Sequence, residues 1–173
     1  MKRAQICKLV AAILFALLVT DISVSQETHK AKFACAFNCM DSRCQKAVDT
    51  FVKNYAKTDE VDMVNEAGPS AIAAHNPGKT LRQAVDGGNL KEVMAVAILE
   101  NVKERIGISV NKHGSKVVAI VAHYDCAGNP SSKEQQIQDL HTSKRTIESF
   151  GFKDIQIILL WVDKDFKVAQ KVK

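Results

Sequence analysis

The strongest constraint on the fold is an uninterrupted apolar run that ends in a histidine and a cysteine. The run Val117–Ala122 is followed directly by His123 and, three residues later, by Cys126. Because apolar and polar residues do not alternate in it, a strand formed by this run must be buried on both faces. Such burial is typical of a central strand in a parallel sheet. The sequence therefore predicts that His123 and Cys126 lie just beyond the carboxyl end of a central strand.

The rest of the chain predicts strands and helices in alternation. Strands are expected at 33–38, 60–68 and 154–162, with an edge strand at 165–172. Helices are expected at 42–57, at 90–107 with Gly107 as the stop, and from the serines before Glu134 to Gly151. Residues 69–90 contain two prolines and three glycines and predict a long irregular connection with a short helix at 80–85. With 173 residues, the chain is predicted to be a single α/β domain. Its mostly parallel central sheet would have four or five strands flanked by helices.

The charge of the chain argues against a nucleic-acid partner. The formal net charge is +5, and no run of like charges concentrates it. Hydrophobic residues make up 46% of the chain, which is ordinary for a globular domain. Nucleic acid is therefore a weak candidate for the partner.

The first 25 residues have the composition of a secretory signal peptide. Three basic residues precede an apolar core, Leu9–Thr20, and the small residues Ser23–Ser25 follow it. The core is shorter than the roughly 20 residues that span a bilayer. We therefore expect a signal peptide at 1–25 and a mature domain at 26–173. Later cleavage at Ala31 or Ala34 and an uncleaved N-terminal anchor are the alternatives. An exported protein, periplasmic or secreted, with no membrane span after cleavage is the expected product.

Four cysteines remain after the signal segment. Cys35 and Cys44 could form a disulfide, since exported proteins commonly contain them. However, Cys35 lies within a predicted buried strand, where free cysteine is common. Cys39 and Cys126 instead follow apolar runs and lie near residues that bind metals or transfer protons.

Cys39, His123 and Cys126 form a candidate metal site. If the strands before Cys39 and His123 are neighbours, the three side chains meet, although 84 residues separate Cys39 from His123. Two thiolates and one imidazole are a common zinc ligand set. Catalytic zinc keeps three protein ligands and leaves the fourth position for water, whose pKa falls to about 7. A thiol redox pair of Cys39 and Cys126 is the competing hypothesis.

Charged residues accompany both motifs. Asp41 can accept a hydrogen bond from zinc-bound hydroxide, and Arg43 can hold that carboxylate in place through two hydrogen bonds. Asp125, within the His-x-x-Cys turn, could hydrogen-bond to the metal ligands and orient them without binding the metal itself. Each residue also has a simpler interpretation, because Asp41 is a natural helix N-cap and Arg43 could pair with it on the surface.

The segments CMDSR (Cys39–Arg43) and HYDC (His123–Cys126) resemble the two signatures of the beta-class carbonic anhydrases, Cys-x-Asp-x-Arg and His-x-x-Cys. The segment EAG (Glu66–Gly68) falls where that family often has Arg-Asn-Ala-Gly. The resemblance covers roughly residues 33–165. It implies reversible hydration of carbon dioxide to bicarbonate by zinc-bound hydroxide.

The resemblance also implies the role of each residue. Cys39, His123 and Cys126 would bind Zn²⁺, and Asp41 and Arg43 would form a catalytic pair. In an inactive state the Asp41 carboxylate would instead take the fourth zinc position. The protein would be a homodimer or a higher homo-oligomer.

The sequence departs from the family pattern at several points. Ala127 follows Cys126 where glycine is usual, and Asn65–Glu66 replaces Arg-Asn. The helical arm that often precedes the first strand is almost absent. Two alternatives therefore accompany the expected activity: a hydrolase of carbonyl sulfide or carbon disulfide at the same site, and a non-catalytic zinc-binding relative.

Overall fold

A parallel sheet with one antiparallel edge strand forms the centre of the protein. The computed structural model describes residues 31–75 and 79–173. The sheet order is β2-β1-β3-β4-β5; the first four strands are parallel, and β5 runs antiparallel to β4. The predicted α/β fold is confirmed. The elements are β1 (Phe33–Cys39), α1 (Ser42–Ala56), β2 (Glu60–Glu66), α2 (Pro69–His75), α3 (Leu81–Asp86), α4 (Leu90–Asn111), β3 (Val117–His123), α5 (Lys133–Glu148), β4 (Gln156–Val162) and β5 (Ala169–Val172).

Helices cover both faces of the sheet and create two hydrophobic clusters. Helix α1 packs on one face, where Cys44 joins Ala34 and Ala36. Helices α2, α4 and α5 pack on the other face, where Cys35 joins Phe37. Cys35 and Cys44 therefore lie on opposite sides of the sheet, and both are free thiols within the described part of the chain. The possible disulfide between them does not form.

Strand β3 is the central strand that its composition predicts. All seven of its residues are buried, and it pairs with β1 on one side and β4 on the other. Its last residue is His123, so the histidine ends the strand rather than following it. The ladder continues one residue further, because the Tyr124 N–H donates to the Val162 carbonyl over 2.9 Å.

The connection between β2 and α4 is more regular than the sequence suggests. The expectation of an irregular chain with one short helix at 80–85 is wrong for its first part, where α2 begins at Pro69. Proline is well tolerated in the first turn of a helix, where its missing N–H would have no partner. Ser70, Ala73 and Ala74 are buried, so packing stabilises a helix that has no long apolar stripe. The short helix α3 is confirmed, with a capping box between Thr80 and Gln83.

Helices α4 and α5 end at other residues than the glycine signals indicate. Gly107 is interior to α4, which continues to Asn111. Glycine in a helix interior costs about 1 kcal/mol relative to alanine, but the last turn is held by tertiary contacts. Ser109 is buried and lies 2.8 Å from Ser115, measured between the hydroxyl oxygens. Helix α5 ends at Glu148, before Gly151.

The described residues can be examined for helices that could cross a membrane. Within 31–75 and 79–173, no helix combines the length and the apolarity that crossing a bilayer requires. The predicted signal peptide, 1–25, lies outside the described residues.

Candidate metal centre

The carboxyl ends of β1 and β3 bring the three predicted ligands together. Cys39 is the last residue of β1, His123 is the last residue of β3, and Cys126 lies in the turn that follows. One ligand atom from each lies within 4.8 Å of the other two, and all three residues are buried. The two sulfur atoms are 3.9 Å apart. The convergence expected from neighbouring strands is thus present.

The arrangement fits a tetrahedral zinc ion. Zinc–sulfur bonds of about 2.3 Å at a tetrahedral angle place two sulfur atoms about 3.8 Å apart, close to the observed separation. His123 Nδ1 lies 2.9 Å from the Tyr124 carbonyl oxygen. This contact requires the proton on Nδ1 and leaves a lone pair on Nε2. The Nε2 atom is buried without a hydrogen-bond partner among the described residues, as expected of an atom that binds a metal.

The pKa values of Cys39 and Cys126 depend on a hydrogen bond between the two thiols, unlike those of the other described cysteines. A hydrogen bond from Cys126 lowers the pKa of Cys39, and contacts with His123 and the backbone of Gly68 and Asp41 lower it further despite burial. The same hydrogen bond raises the pKa of Cys126. Burial raises the pKa values of Cys35 and Cys44 to about 12. A thiolate of the Cys39–Cys126 pair is therefore stabilised by the other thiol, a partner that Cys35 and Cys44 lack.

Asp41 and Arg43 form a tight ion pair next to the centre. Asp41 is the N-cap of α1, and its Oδ1 accepts the Arg43 backbone N–H over 2.9 Å. The guanidinium donates from Nε to both carboxylate oxygens, over 3.1 and 3.0 Å, and from Nη2 to Oδ2 over 2.6 Å. The hydrogen bond from Arg43 lowers the pKa of Asp41 to about 2. Asp41 thus caps the helix and remains a fixed carboxylate at neutral pH.

Arg43 also connects the two sequence motifs. Its Nη1 donates to the Asp125 carboxylate and its Nη2 donates to the Asp125 carbonyl, each over 3.3 Å. Asp125 adopts a left-handed backbone conformation with φ of 55°, which is uncommon for residues other than glycine. Asp125, predicted to act next to the ligands, therefore contacts Arg43 in this structure.

Two glycines bring the loops behind the ligands into backbone contact. A Cβ atom on Gly68 would lie 2.3 Å from the Gly128 carbonyl oxygen, and one on Gly128 would lie 2.4 Å from the Gly68 nitrogen. Gly68 also has φ of +68°, which favours glycine. Backbone groups of Gly68 lower the pKa of Cys39, and those of Gly128 act likewise on Cys126. This contact aims main-chain dipoles at both sulfur atoms.

The polar network at the end of β2 uses other residues than the family pattern has. Glu66 forms an ion pair with Arg105 from α4. The Asn65 amide oxygen accepts a hydrogen bond from Gln45 Nε2 over 3.3 Å. Arg105 and Gln45 were not predicted as site residues, since neither lies in a motif.

A cleft opens beside Cys126. Its volume is about 390 Å³, and Tyr124, Lys133 and Trp161 are among the residues that line it. A larger cleft of about 830 Å³ lies between α5 and the β4–β5 edge, and no predicted site residue lines it. The cleft beside Cys126 is therefore the one relevant to the metal centre.

Fold and site together define an α/β protein with a candidate Cys–His–Cys metal centre at the carboxyl edge of a parallel sheet. A family described as "Putative carbonic anhydrase" matches the chain over residues 29–88 and 84–172. The chain belongs to this family of carbonic anhydrase-like proteins. The resemblance drawn from the two motifs is confirmed at that level. A comparison with curated proteins gave no significant match.

Several solved structures are similar over almost their whole length. A beta-carbonic anhydrase from Trichomonas vaginalis is 14% identical, with a TM-score of 0.48 and coverage of 99% of this chain and 97% of that one. A carbonic anhydrase from Streptococcus mutans is 14% identical, with a TM-score of 0.47 and full coverage of both chains. A structure of tetrameric beta-carbonic anhydrases from Sordaria macrospora is 10% identical, with a TM-score of 0.43 and coverage of 99% and 98%. With TM-scores below 0.5, these likenesses add nothing to the family assignment.

Proposed function

We propose that the protein is a zinc-dependent carbonic anhydrase that catalyses the reversible hydration of carbon dioxide to bicarbonate. Cys39, His123 and Cys126 would hold the zinc. One observation carries the proposal: in a chain of this family, three buried ligand atoms lie within 4.8 Å of one another, and His123 Nε2 has no other partner in the described part of the chain. Three protein ligands match the set of a catalytic rather than a structural zinc site.

Zinc bound here would supply a Lewis acid and lower the pKa of a water molecule to about 7. Asp41 would orient the reacting groups, because its carboxylate stays ionised and a carboxylate can accept about four hydrogen bonds. Three N–H groups, all from Arg43, make four contacts with it, because the Nε–H is shared between both oxygens. A shared N–H can keep one of its two contacts, so the carboxylate would still have room to accept the hydroxyl proton of the attacking water or of bicarbonate. Arg43 would hold this carboxylate in one orientation.

Stopped-flow measurement of carbon dioxide hydration, with zinc content determined on the same sample of the full chain, tests the proposal. We expect about one zinc per chain and a rate proportional to zinc content. Full zinc occupancy without turnover would instead identify a non-catalytic relative. Carbonyl sulfide, offered in parallel, should be turned over more slowly than carbon dioxide; the opposite order would make the protein a hydrolase.

Replacing Asp41 by asparagine should reduce activity without removing the metal. The asparagine side chain keeps the shape and can still cap α1, but it lacks the charge that holds Arg43 and accepts the substrate proton. We expect kcat/KM to fall about 10- to 100-fold, as is usual when a residue behind a metal ligand is changed. Zinc content should stay at the wild-type value, as measured by atomic absorption.

The matched control for Asp41→Asn is Asp49→Asn. Asp49 also lies on α1 and forms an ion pair, with Lys53 over 3.2 Å, but it lies about two helical turns further on and is not part of the centre. Its substitution should leave kcat/KM within about twofold, since exposed pairs contribute little. Equal losses in both variants would contradict a specific role for Asp41.

We further propose a homodimer or a larger homo-oligomer. Large apolar side chains are exposed on α3 and at the start of α4, among them Val85, Leu90 and Met94. Exposed apolar groups of this kind are typical of association surfaces. Light scattering coupled to size-exclusion chromatography should give at least twice the chain mass of 19.0 kDa. Replacing Leu90 and Met94 by serine should lower the measured mass, and an unchanged mass would place the interface elsewhere.

Export remains a proposal that depends on the sequence of residues 1–25. Ala34 is fully buried in β1, so cleavage after it would remove two residues of that strand. This argues against the site after Ala34 and leaves the sites after Ser25 and Ala31. N-terminal sequencing of the protein recovered outside the cytoplasm would test both points.

A further inference from the structure

Phe166 contacts both halves of the metal centre, although it belongs to neither motif. It lies in the loop between β4 and β5. Its ring centroid is 4.4 Å from the Arg43 guanidinium carbon and 5.9 Å from the centroid of the His123 ring, with 59° between the two ring planes. The residue also packs against the hydrophobic cluster beneath α1. One side chain thus contacts a predicted metal ligand and the cation that holds Asp41.

The backbone of Phe166 is held in an unusual conformation. Its φ of 53° lies in the left-handed region, which bulky residues adopt only when the surroundings determine it. The loop is fixed by the Phe166 N–H donating to the Asp163 carbonyl over 2.9 Å. A second bond runs from the Lys167 N–H to the Asp165 carboxylate over 3.2 Å. The turn therefore aims the ring at the centre.

Arg43 needs such a support because its side chain is exposed and binds two carboxylates at once. Its side chain is 47% accessible, and it forms ion pairs with Asp41 and with Asp125, whose own side chain is 68% accessible. An exposed ion pair is easily exchanged for water or for a second carboxylate. A ring against the guanidinium attracts the cation and restricts its orientation. Both contacts are present at once, and a ring against the guanidinium restricts it to the orientation that makes them.

We propose that Phe166 is a positioning residue that acts through Arg43 to fix the Asp41 carboxylate beside the metal centre. The part of this inference that concerns catalysis rests on the proposed carbonic anhydrase activity. The part that concerns the orientation of Arg43 does not. The kcat values test the first part, and the NMR signal of Arg43 tests the second.

The substitution Phe166→Leu removes the ring and keeps apolar bulk. We expect kcat to fall about fivefold, the size of a cation–π contact at an accessible site, with KM and zinc content unchanged. Phe166→Tyr keeps the ring, so this variant should have the wild-type kcat. In an Arg43→Ala background, Phe166→Leu should have no further effect, because the residue it positions is gone. Equal effects of Phe166→Leu with and without Arg43 would overturn the inference.

Phe150→Leu is the matched control. Phe150 also lies beneath a cation, Lys103, whose Nζ is 5.6 Å from the ring centroid, and it packs edge-on against Phe152. It lies outside the metal centre, so its substitution can lower stability but should leave kcat unchanged. A similar fall in kcat in both variants would indicate that general loosening, rather than Arg43, explains the effect.

The NMR signal of the Arg43 Nε–H group provides a readout that needs no activity. In the wild type this proton should be shifted by the Phe166 ring and protected from exchange by Asp41. Phe166→Leu should remove the shift and shorten the exchange time, whereas Phe150→Leu should change neither. An unchanged Arg43 signal in Phe166→Leu would overturn the inference. A changed signal in a protein without turnover would support the positioning of Arg43 while refuting the proposed function. If Phe166→Leu fails to fold, Phe166→Met gives the same comparison.

Discussion

Cys39→Ser should abolish both metal binding and carbon dioxide hydration. Serine is nearly isosteric, but its hydroxyl does not ionise near neutral pH, and zinc in such sites is bound by thiolate. Cys39 is also the thiol whose pKa is lowered, by its hydrogen bond to Cys126 and by His123. We expect zinc content to fall from about one to less than about 0.1 per chain. The hydration rate should fall to that of buffer. Atomic absorption and stopped-flow measurements on one sample give both values.

Cys35→Ser is a stringent control for this result. Cys35 lies four residues earlier in the same strand and is equally buried, but it faces the opposite hydrophobic cluster. A serine there can still hydrogen-bond to Ser109, which already contacts the Cys35 thiol. Zinc content and rate should therefore stay at wild-type values. Retention of zinc by Cys39→Ser, or its loss from Cys35→Ser, would refute the assignment of the ligand.

Gly128→Ala should lower the free energy of unfolding by about 3 kcal/mol or more, at the upper end of overpacking effects. The added Cβ would lie 2.4 Å from the Ala67 carbonyl carbon and 2.4 Å from the Gly68 nitrogen. Both are backbone atoms, so no side-chain rotation can relieve the clash. The two loops must separate, and the N–H groups beside both sulfur atoms move with them. Zinc affinity should fall together with stability.

Two other glycines calibrate the effect of Gly128→Ala. Gly114 has φ of +77° and open space around its Cβ position, so Gly114→Ala should cost only about 1–2 kcal/mol for the left-handed backbone. Gly107 is helical, and its Cβ would meet Phe152 at an ordinary 3.5 Å. Gly107→Ala should therefore stabilise the protein by about 0.5–1 kcal/mol. Urea unfolding of the three variants measures these differences. A smaller loss for Gly128→Ala than for Gly114→Ala would contradict the backbone contact.

The sequence predicts the sheet well because burial leaves a clear pattern. Val117–Ala122 has no alternation, and it is the central strand; the segment at 165–172 has a mixed pattern, and only Ala169–Val172 forms the edge. Helix α2 has no such pattern, since small residues supply its buried face. Gly107 is misleading because a local stop signal is weaker than the contacts of the turn that follows it.

The three candidate metal ligands could be predicted from the positions where the strands end. The residues that hold the neighbouring charged groups in place could not. Cys39 and His123 end adjacent parallel strands, so their convergence follows from sheet topology. Arg105 lies on a helix and Phe166 in a loop, where residue type and spacing carry no signal of tertiary contact. Only the folded structure shows that they contact Glu66 and Arg43.

The ladder between β1 and β3 makes zinc content a test of strand alignment. Three residue pairs join these strands, Cys35 with Val118, Ala36 with Ala119 and Phe37 with Ile120. Because successive side chains of a strand point to opposite faces, a slip of one residue would turn the Cys39 sulfur away from His123. The fraction of zinc retained by a refolded sample would then count the molecules in which the two strands have paired correctly.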